Sequence, residues 1–522
     1  MLARTNRRRF LRAIAAALPL ACAACTLLLD HRSMQCQSDD DCARFGSHPF
    51  CQSGVCVPSG LGPPNCLYGP PQRPEDFLNE CSLAACFSFD NCKRIGLCGD
   101  ASGLSAPLID PPVTSAPPPG DAGTSGDAEA SGDASVAPPS CLDASQGRPR
   151  IMVMTGSSNF PPLLSKLAPL LLTTGFTPVY LVTNSCTGVK IAFGAQPSDH
   201  VISDPIPDPS AKYATYFRQD GSSAPCSLGP DGAQVDVAES DIFSSTCGFG
   251  AAADGVGEYV GPIQSMAFVV PGKSQQTAIT AEAARAVFGM GGYHNIAQPW
   301  IDPSLYFVRN ANTGTQQMIA HAINVPASAF WGTDRGTAAN VDAQLRLISE
   351  PTAAERAIGI ISTDFSDSDR ANLKALAFRA SGQDCAYLPD STEFKRDKQN
   401  VRNGHYPIWG PLHFFTTVSS GDPVSPGAQA FVNVVLVPNV APALLDAFIA
   451  SSLVPSCAMS VQRSAELGPM SPYSPPFQCG CYFEASPSVN GSAPPECARC
   501  NTANDCRDPA RPACNLGYCE VR

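Results

Sequence analysis

Between residues 148 and 459, short apolar runs alternate with stretches whose apolar positions recur every three or four residues. Ile151–Met154, Val179–Val182, Met266–Val270, Leu305–Val308, Ile358–Ile361 and Phe431–Val437 read as strands buried on both faces. Leu163–Leu172, Ala281–Phe288 and Ala443–Ala450 carry helical spacing. Strand and helix patterns in alternation predict an α/β domain with a mainly parallel sheet under covering helices. More than 300 residues exceed one usual core, so two lobes are expected.

The flanks have a different character. Cysteines are dense in 36–98 and 479–519 and sparse between. Cys36, Cys42, Cys51 and Cys56 are spaced C-x5-C-x8-C-x4-C, and Cys500, Cys506, Cys514 and Cys519 nearly repeat this as C-x5-C-x7-C-x4-C. Segments this short bury little apolar area, so cross-links must replace a core. Small disulfide-rich modules are therefore expected over 26–100 and 460–522. A zinc site on Cys479, Cys481, Cys497 and Cys500 is the alternative. Residues 101–147 form a spacer: Pro117-Pro118-Pro119 and Gly-Asp-Ala starting at 120, 126 and 132 leave too little apolar surface to offset ordering.

At the start, Arg7-Arg8-Arg9 precedes Phe10-Leu11-Arg12 and the apolar run Ala13–Ala21. A charged stretch followed by so short an apolar run is a signal peptide over 1–25, twin-arginine-like in its arginines. Small residues before Cys25 resemble a lipoprotein cleavage site with Cys25 as the lipid attachment. With Cys25 acylated at the new N-terminus, 22 cysteines follow it, an even number that can pair fully. An exported protein of the periplasm or cell envelope, anchored to the membrane by lipid, is expected.

Charge narrows the partners. The chain carries a net charge of -12, and only 15% of its residues are charged. Residues 26–147 hold 5 Lys/Arg against 15 Asp/Glu, so most of the excess lies outside the central domain. Nucleic acid is excluded as a partner. An anion site in the central domain must rely on local dipoles.

Three junctions offer such dipoles. Ile151–Met154 runs into Thr155-Gly156-Ser157-Ser158-Asn159-Phe160-Pro161, and Val179–Val182 into Thr183-Asn184-Ser185-Cys186-Thr187-Gly188. Leu305–Val308 runs into Arg309-Asn310-Ala311-Asn312-Thr313-Gly314-Thr315-Gln316. Each passes from strand through a small polar loop to a helix start, where free N–H groups and the positive dipole end favour anions. Thr313 and Gln316 have capping-box spacing, placing the helix start at Met318-Ile319. Arg309 adds a bidentate cationic fork.

Taken in order, these blocks, with Glu239-Ser240-Asp241, Pro299-Trp300-Ile301-Asp302, Ala357-Ile358-Gly359 and Tyr406-Pro407-Ile408, resemble the phosphate-binding proteins of bacterial ABC importers. The resemblance covers roughly three-fifths of the chain. It implies a two-lobed periplasmic-binding-protein fold of type II and a small oxyanion, phosphate, held between lobes for delivery to importer membrane subunits. It implies Asn159 and Phe160 at the first turn, Ser185 at the second, and Arg309, Thr313, Gly314 and Thr315 at the third. Asp241 would accept a hydrogen bond from a protonated ligand oxygen, selecting phosphate over sulfate. Two positions depart from the pattern: Ala311 stands where an acid usually orients the arginine, and Asn159 where threonine is usual.

Other candidates carry less chemistry. Gly289-Met290-Gly291-Gly292 follows a helix and reads as a C-cap turn. His294, His405 and His413 lack metal spacing, and Tyr406, Trp409 and Phe414 read as core. No nucleophile elbow, zinc-protease or phosphate-loop motif occurs, so neither catalysis, a cofactor nor a metal is expected. The competing readings are a surface or envelope interaction protein on the same scaffold and, after it, an exported hydrolase.

Overall fold

The computed structural model describes residues 41, 50–52, 55–57, 66–67, 71, 73–82, 84–98, 138–144, 150–206, 212–250, 255–292, 295–436 and 441–521. The leader with Cys25, the Cys36 and Cys42 positions, most of the spacer and His294 lie outside these residues. The chain divides into two compact units, Met1–Cys66 with Cys81–Leu83, and Leu67–Glu80 with Ala84–Arg522. In the first, Phe50–Gln52 pairs antiparallel with Val55–Val57, and Cys66 is bonded to Cys81.

The second unit contains the expected α/β domain. Its strands include β1 (Ile151–Gly156), β2 (Thr177–Val182), β3 (Ala214–Phe217), β4 (Ser223–Cys226), β5 (Val237–Ser240) and the 16-residue β6 (Val256–Pro271). Then follow β7 (Tyr306–Val308), β8 (Thr333–Asp334), β9 (Ile358–Ser362), β10 (Leu373–Ala375) and the 11-residue β11 (Trp409–Ser419). Among the described residues their order is β8-β7-β9-β6-β11-β5-β1-β2-β3-β4, with β10 also beside β6. The helices that bear on the site are α1 (Pro161–Leu171), α2 (Ser185–Ala192), α3 (Ala281–Met290), α4 (Gly314–Ile323) and α5 (Thr363–Ser368).

The first half of β6 pairs with β11, and its second half with β9 and β10. Thus β6 runs out of one sheet and into another, giving two lobes joined by a continuous strand. The sheet is not mainly parallel as expected. β7 is parallel to β8 and β9, and β1 to β2 and β5, but the connecting strands β6 and β11 are antiparallel to their neighbours. Apolar periodicity reports burial of both faces and is blind to strand direction.

That burial accounts for the continuous apolar runs. Met152 and Met154 on one face of β1 pack with Leu163, Leu164 and Leu167 of α1, while Val153 packs with Val179 and Leu181 on the other face. Met266 and Phe268 of β6 join the same large core, and Ala267 and Val269 face Val341 and Leu345 in a second. The run beginning at Phe431, read as a strand, belongs instead to a helix, Pro426–Val435. Ser425 Oγ accepts from the Ala428 N–H, Pro426 fits the first turn, and Ala428, Phe431 and Val435 face inward at helical spacing.

Disulfides fasten the flanks to this unit. Cys86 is bonded to Cys385 and Cys141 to Cys226, so residues from both the expected N-terminal module and the spacer's end are tied to the central domain. At the other end the bonds are Cys457–Cys479, Cys481–Cys497, Cys500–Cys514 and Cys506–Cys519. The zinc alternative falls, because all four of its sulfurs are spent in these bonds. Among the described residues no helix is long and apolar enough to cross a membrane.

Candidate anion site

The three junctions meet. Turn one follows β1, turn two leads into α2, and turn three joins β7 to α4. Asn159 Nδ2 donates to Thr315 Oγ1 at 3.2 Å, joining turns one and three. Ser185 Oγ accepts the Gly314 N–H at 3.2 Å and the Asp241 N–H at 3.3 Å. The Cys186 N–H donates to Asn312 O, and a Cys186–Cys247 disulfide braces turn two. Arg309 Nη2 donates to Ser158 Oγ at 2.9 Å.

Asp241 stands at the centre, one residue past β5. Its Oδ2 accepts from Ser157 Oγ at 2.6 Å and from Asn159 Nδ2 at 2.9 Å. Asn159, Ser185, Asp241, Arg309 and Thr315 are all at most 3% exposed. Space is tight: a Cβ on Gly314 would lie 2.5 Å from Asp241 Cβ and 2.8 Å from Ser185 Oγ, so only glycine admits this approach.

The pairing is internal but incomplete. Three side-chain atoms of the cluster are buried without a partner: Arg309 Nη1, Asp241 Oδ1 and Asn159 Oδ1. Such atoms are costly in a dry interior. They amount to one cationic donor and two acceptors. Burial lowers the Arg309 guanidinium to about 10, with Asp241 opposing the shift, so it stays charged at neutral pH. Burial likewise raises the Asp241 carboxyl, while bonds from Ser157 and the Arg309 charge pull it back.

The remaining site residues are placed differently. Phe160 is core: its ring packs against Tyr180 and Phe414 with centroids 5.5 Å away in each case, and its N–H donates to Ser157 O within the turn. Thr313 caps α4, accepting the Gln316 N–H and donating to Asn310 O. The helix therefore starts at Gly314, earlier than expected. Gln316 does not close a capping box, because its Oε1 accepts the Arg309 N–H and its Nε2 donates to Ala327 O. With Ala311 unable to orient the arginine, Gly336 O does so, accepting from Nε at 2.9 Å.

Several groups escaped the sequence reading as site members. Ser157 and Ser158 lie in the right loop, but nothing in their order distinguishes them from Asn159. Glu239 shares a strand face with Asp241, a period-two signal that could have been read. Asp364 lies in the first turn of α5 after β9, a fourth strand–helix junction. Burial lifts its carboxyl to about 7, with the Asp241 charge adding to the rise. Glu466, 8% exposed, accepts the Phe243 N–H and is raised by burial to about 8. Its distance along the chain left no signal.

The histidine and aromatic readings can also be placed. His405 bonds Asn403 and Glu80 O, His413 bonds Glu258, and Tyr406, Trp409 and Phe414 are buried. The glycine run ends α3, with Gly291 as its left-handed C-cap.

No protein-family model and no curated protein matches the chain. Among solved structures it is similar to a phosphate ABC transporter substrate-binding protein with bound phosphate from Clostridium perfringens. The identity is 12% and the TM-score 0.39, over 59% of this chain and 99% of that one. An ABC-type phosphate transport receptor from Vibrio cholerae is similar at 12% identity and TM-score 0.37, over 58% and 99%. A cysteine-to-serine mutant of OxyR from Corynebacterium glutamicum, bound to H2O2, is similar at 12% identity and TM-score 0.31, over 60% and 70%. These likenesses concern the fold.

Proposed function

We propose that the central domain, 148–459, binds a small, partly protonated oxyanion, phosphate fitting best, in the cleft between its lobes. One observation carries this reading: Arg309 Nη1 and Asp241 Oδ1 are both buried and unpaired within one cluster. A phosphate oxygen supplies the acceptor that the guanidinium lacks, and a phosphate hydroxyl supplies the donor that the carboxylate lacks. Sulfate carries no proton at neutral pH and meets the Asp241 charge unrelieved. Entry requires Ser157, Asn159 and Ser185 to exchange internal bonds for ligand bonds, which hinge motion about β6 and β11 would allow.

In this reading the chain is exported, anchored through Cys25, and holds the domain from the membrane by the 101–147 spacer for delivery to importer subunits. The Cys-rich segments 26–100 and 460–522 frame it, and no catalytic step is assigned.

A specific observation favours a second reading. Asp241 Oδ2 already takes two donors and Ser185 Oγ two amides, as in a scaffold that satisfies its own turns. Such a protein would act in the envelope by contacting other proteins. Calorimetric titration with phosphate and sulfate separates the two. Phosphate heat that is absent with sulfate and lost in Arg309→Ala supports the anion site; silence toward both anions favours the scaffold.

A further inference from the structure

Glu239 lies in β5, two residues before Asp241 and on the same strand face, and both side chains are fully buried. The backbone encloses it closely. A Cβ on Gly156, whose φ is +146°, would lie 2.1 Å from Glu239 O. Glu239 Oε2 accepts the Ser157 N–H at 2.9 Å and contacts Tyr180 Oη at 3.2 Å. The Tyr180 hydroxyl also reaches Ser157 O at 2.8 Å. The other Glu239 oxygen, Oε1, is buried without a donor, as is Asp241 Oδ1. Ser157 joins the two carboxyl groups, its N–H donating to Glu239 Oε2 at 2.9 Å and its Oγ to Asp241 Oδ2 at 2.6 Å.

Two ionised carboxylates side by side in a dry site repel and leave both oxygens unsatisfied. One proton between them removes the repulsion and gives Asp241 one further bond, while the remaining lone pairs of its carboxylate stay open to a guest's hydroxyl. We infer that Glu239 holds a proton and donates it to Asp241, making Glu239 the residue that keeps the site's acceptor ionised and oriented. The assignment to Glu239 follows from the surroundings. Asp241 receives hydroxyl and amide donors and lies in the field of Arg309, all favouring its charge, whereas Glu239 has the Ser157 amide, Tyr180 and the opposing Asp241 charge. Burial, and then Asp241, hold the Glu239 carboxyl well above its usual range.

Other charged groups bear on the pair from each side. Arg309 approaches from turn three, Asp364 from α5 and Glu466 from the C-terminal segment. His413, registered opposite Ser240 on β11, is engaged by Glu258 instead. With Glu239 protonated, Asp241 and Arg309 balance, and an anion enters a neutral pair. Once Glu239 ionises, a second negative charge faces the guest.

The binding consequence rests on the oxyanion reading; the protonation itself does not. Infrared difference spectra of the ligand-free full chain, wild type against Glu239→Gln, test the latter directly. The carbonyl stretch of a protonated carboxylic acid should be present at pH 7 and one component lost in the variant, whose amide still donates to Asp241. Asp241→Asn, which supplies a donor to Glu239, should also remove it. An unchanged band in both variants would overturn the inference, whether or not phosphate binds. Where phosphate does bind, wild-type affinity should fall more steeply than that of Glu239→Gln on the alkaline side, approaching about tenfold per pH unit for one linked proton. Parallel pH profiles would contradict the proposal.

Discussion

Arg309 and Ser158, 151 residues apart, are joined by an Nη2–Oγ hydrogen bond of 2.9 Å that ties the turn after β7 to the turn after β1. The two strands belong to different lobes, so this bond joins the lobes. Arg309→Lys keeps the charge but removes the planar fork that also reaches Gly336 O. A charge-assisted bond contributes about 1.5–3 kcal/mol, so phosphate affinity should fall about tenfold or more in calorimetry. Retention of wild-type affinity would show that charge alone suffices.

Gly314→Ala should damage the same cluster by crowding. The added methyl would lie 2.5 Å from Asp241 Cβ, where the backbone gives little room. A loss of about 1–3 kcal/mol is expected in urea denaturation, together with weakened phosphate binding. Gly250→Ala, with no atom of the described residues within 4 Å of its new methyl, is the control and should change stability by less than about 0.5 kcal/mol.

The Cys86–Cys385 bond spans 299 residues and brings Ala84 against Tyr387 in a small buried cluster. Replacing both cysteines by serine should cost about 2–5 kcal/mol and open residues 84–98 to proteolysis. Digestion at the wild-type rate would mean that the segment is held by packing alone.

Glu466 links stability to pH. Its folded carboxyl is raised to about 8 by burial, so between the ordinary carboxyl range and pH 8 the folded state binds more protons than the unfolded one. Its contribution is therefore present in full below about pH 4 and lost as pH rises through 8. Melting temperature should decline over that interval in wild type and decline less in Glu466→Gln. A variant that follows the wild-type slope would assign the dependence to another group, such as Asp364.

Much of this was legible in the chain itself. Period and burial marked β1, β2, β7 and β9 and the helices α1 and α3, because apolar runs and polar loops are local facts. The same locality marked the three strand-to-helix turns and Arg309, whereas Asn159, Ser185, Gly314 and Thr315 were singled out within them by the family resemblance. Strand direction, the path of β6 from one sheet into the other, and the disulfide partners of Cys86 and Cys141 were decided only in three dimensions, since they depend on distant pairing. So were the partners of Asp241. A sequence shows a carboxylate, but only packing brings Ser157 and Asn159 to one of its oxygens and buries the other.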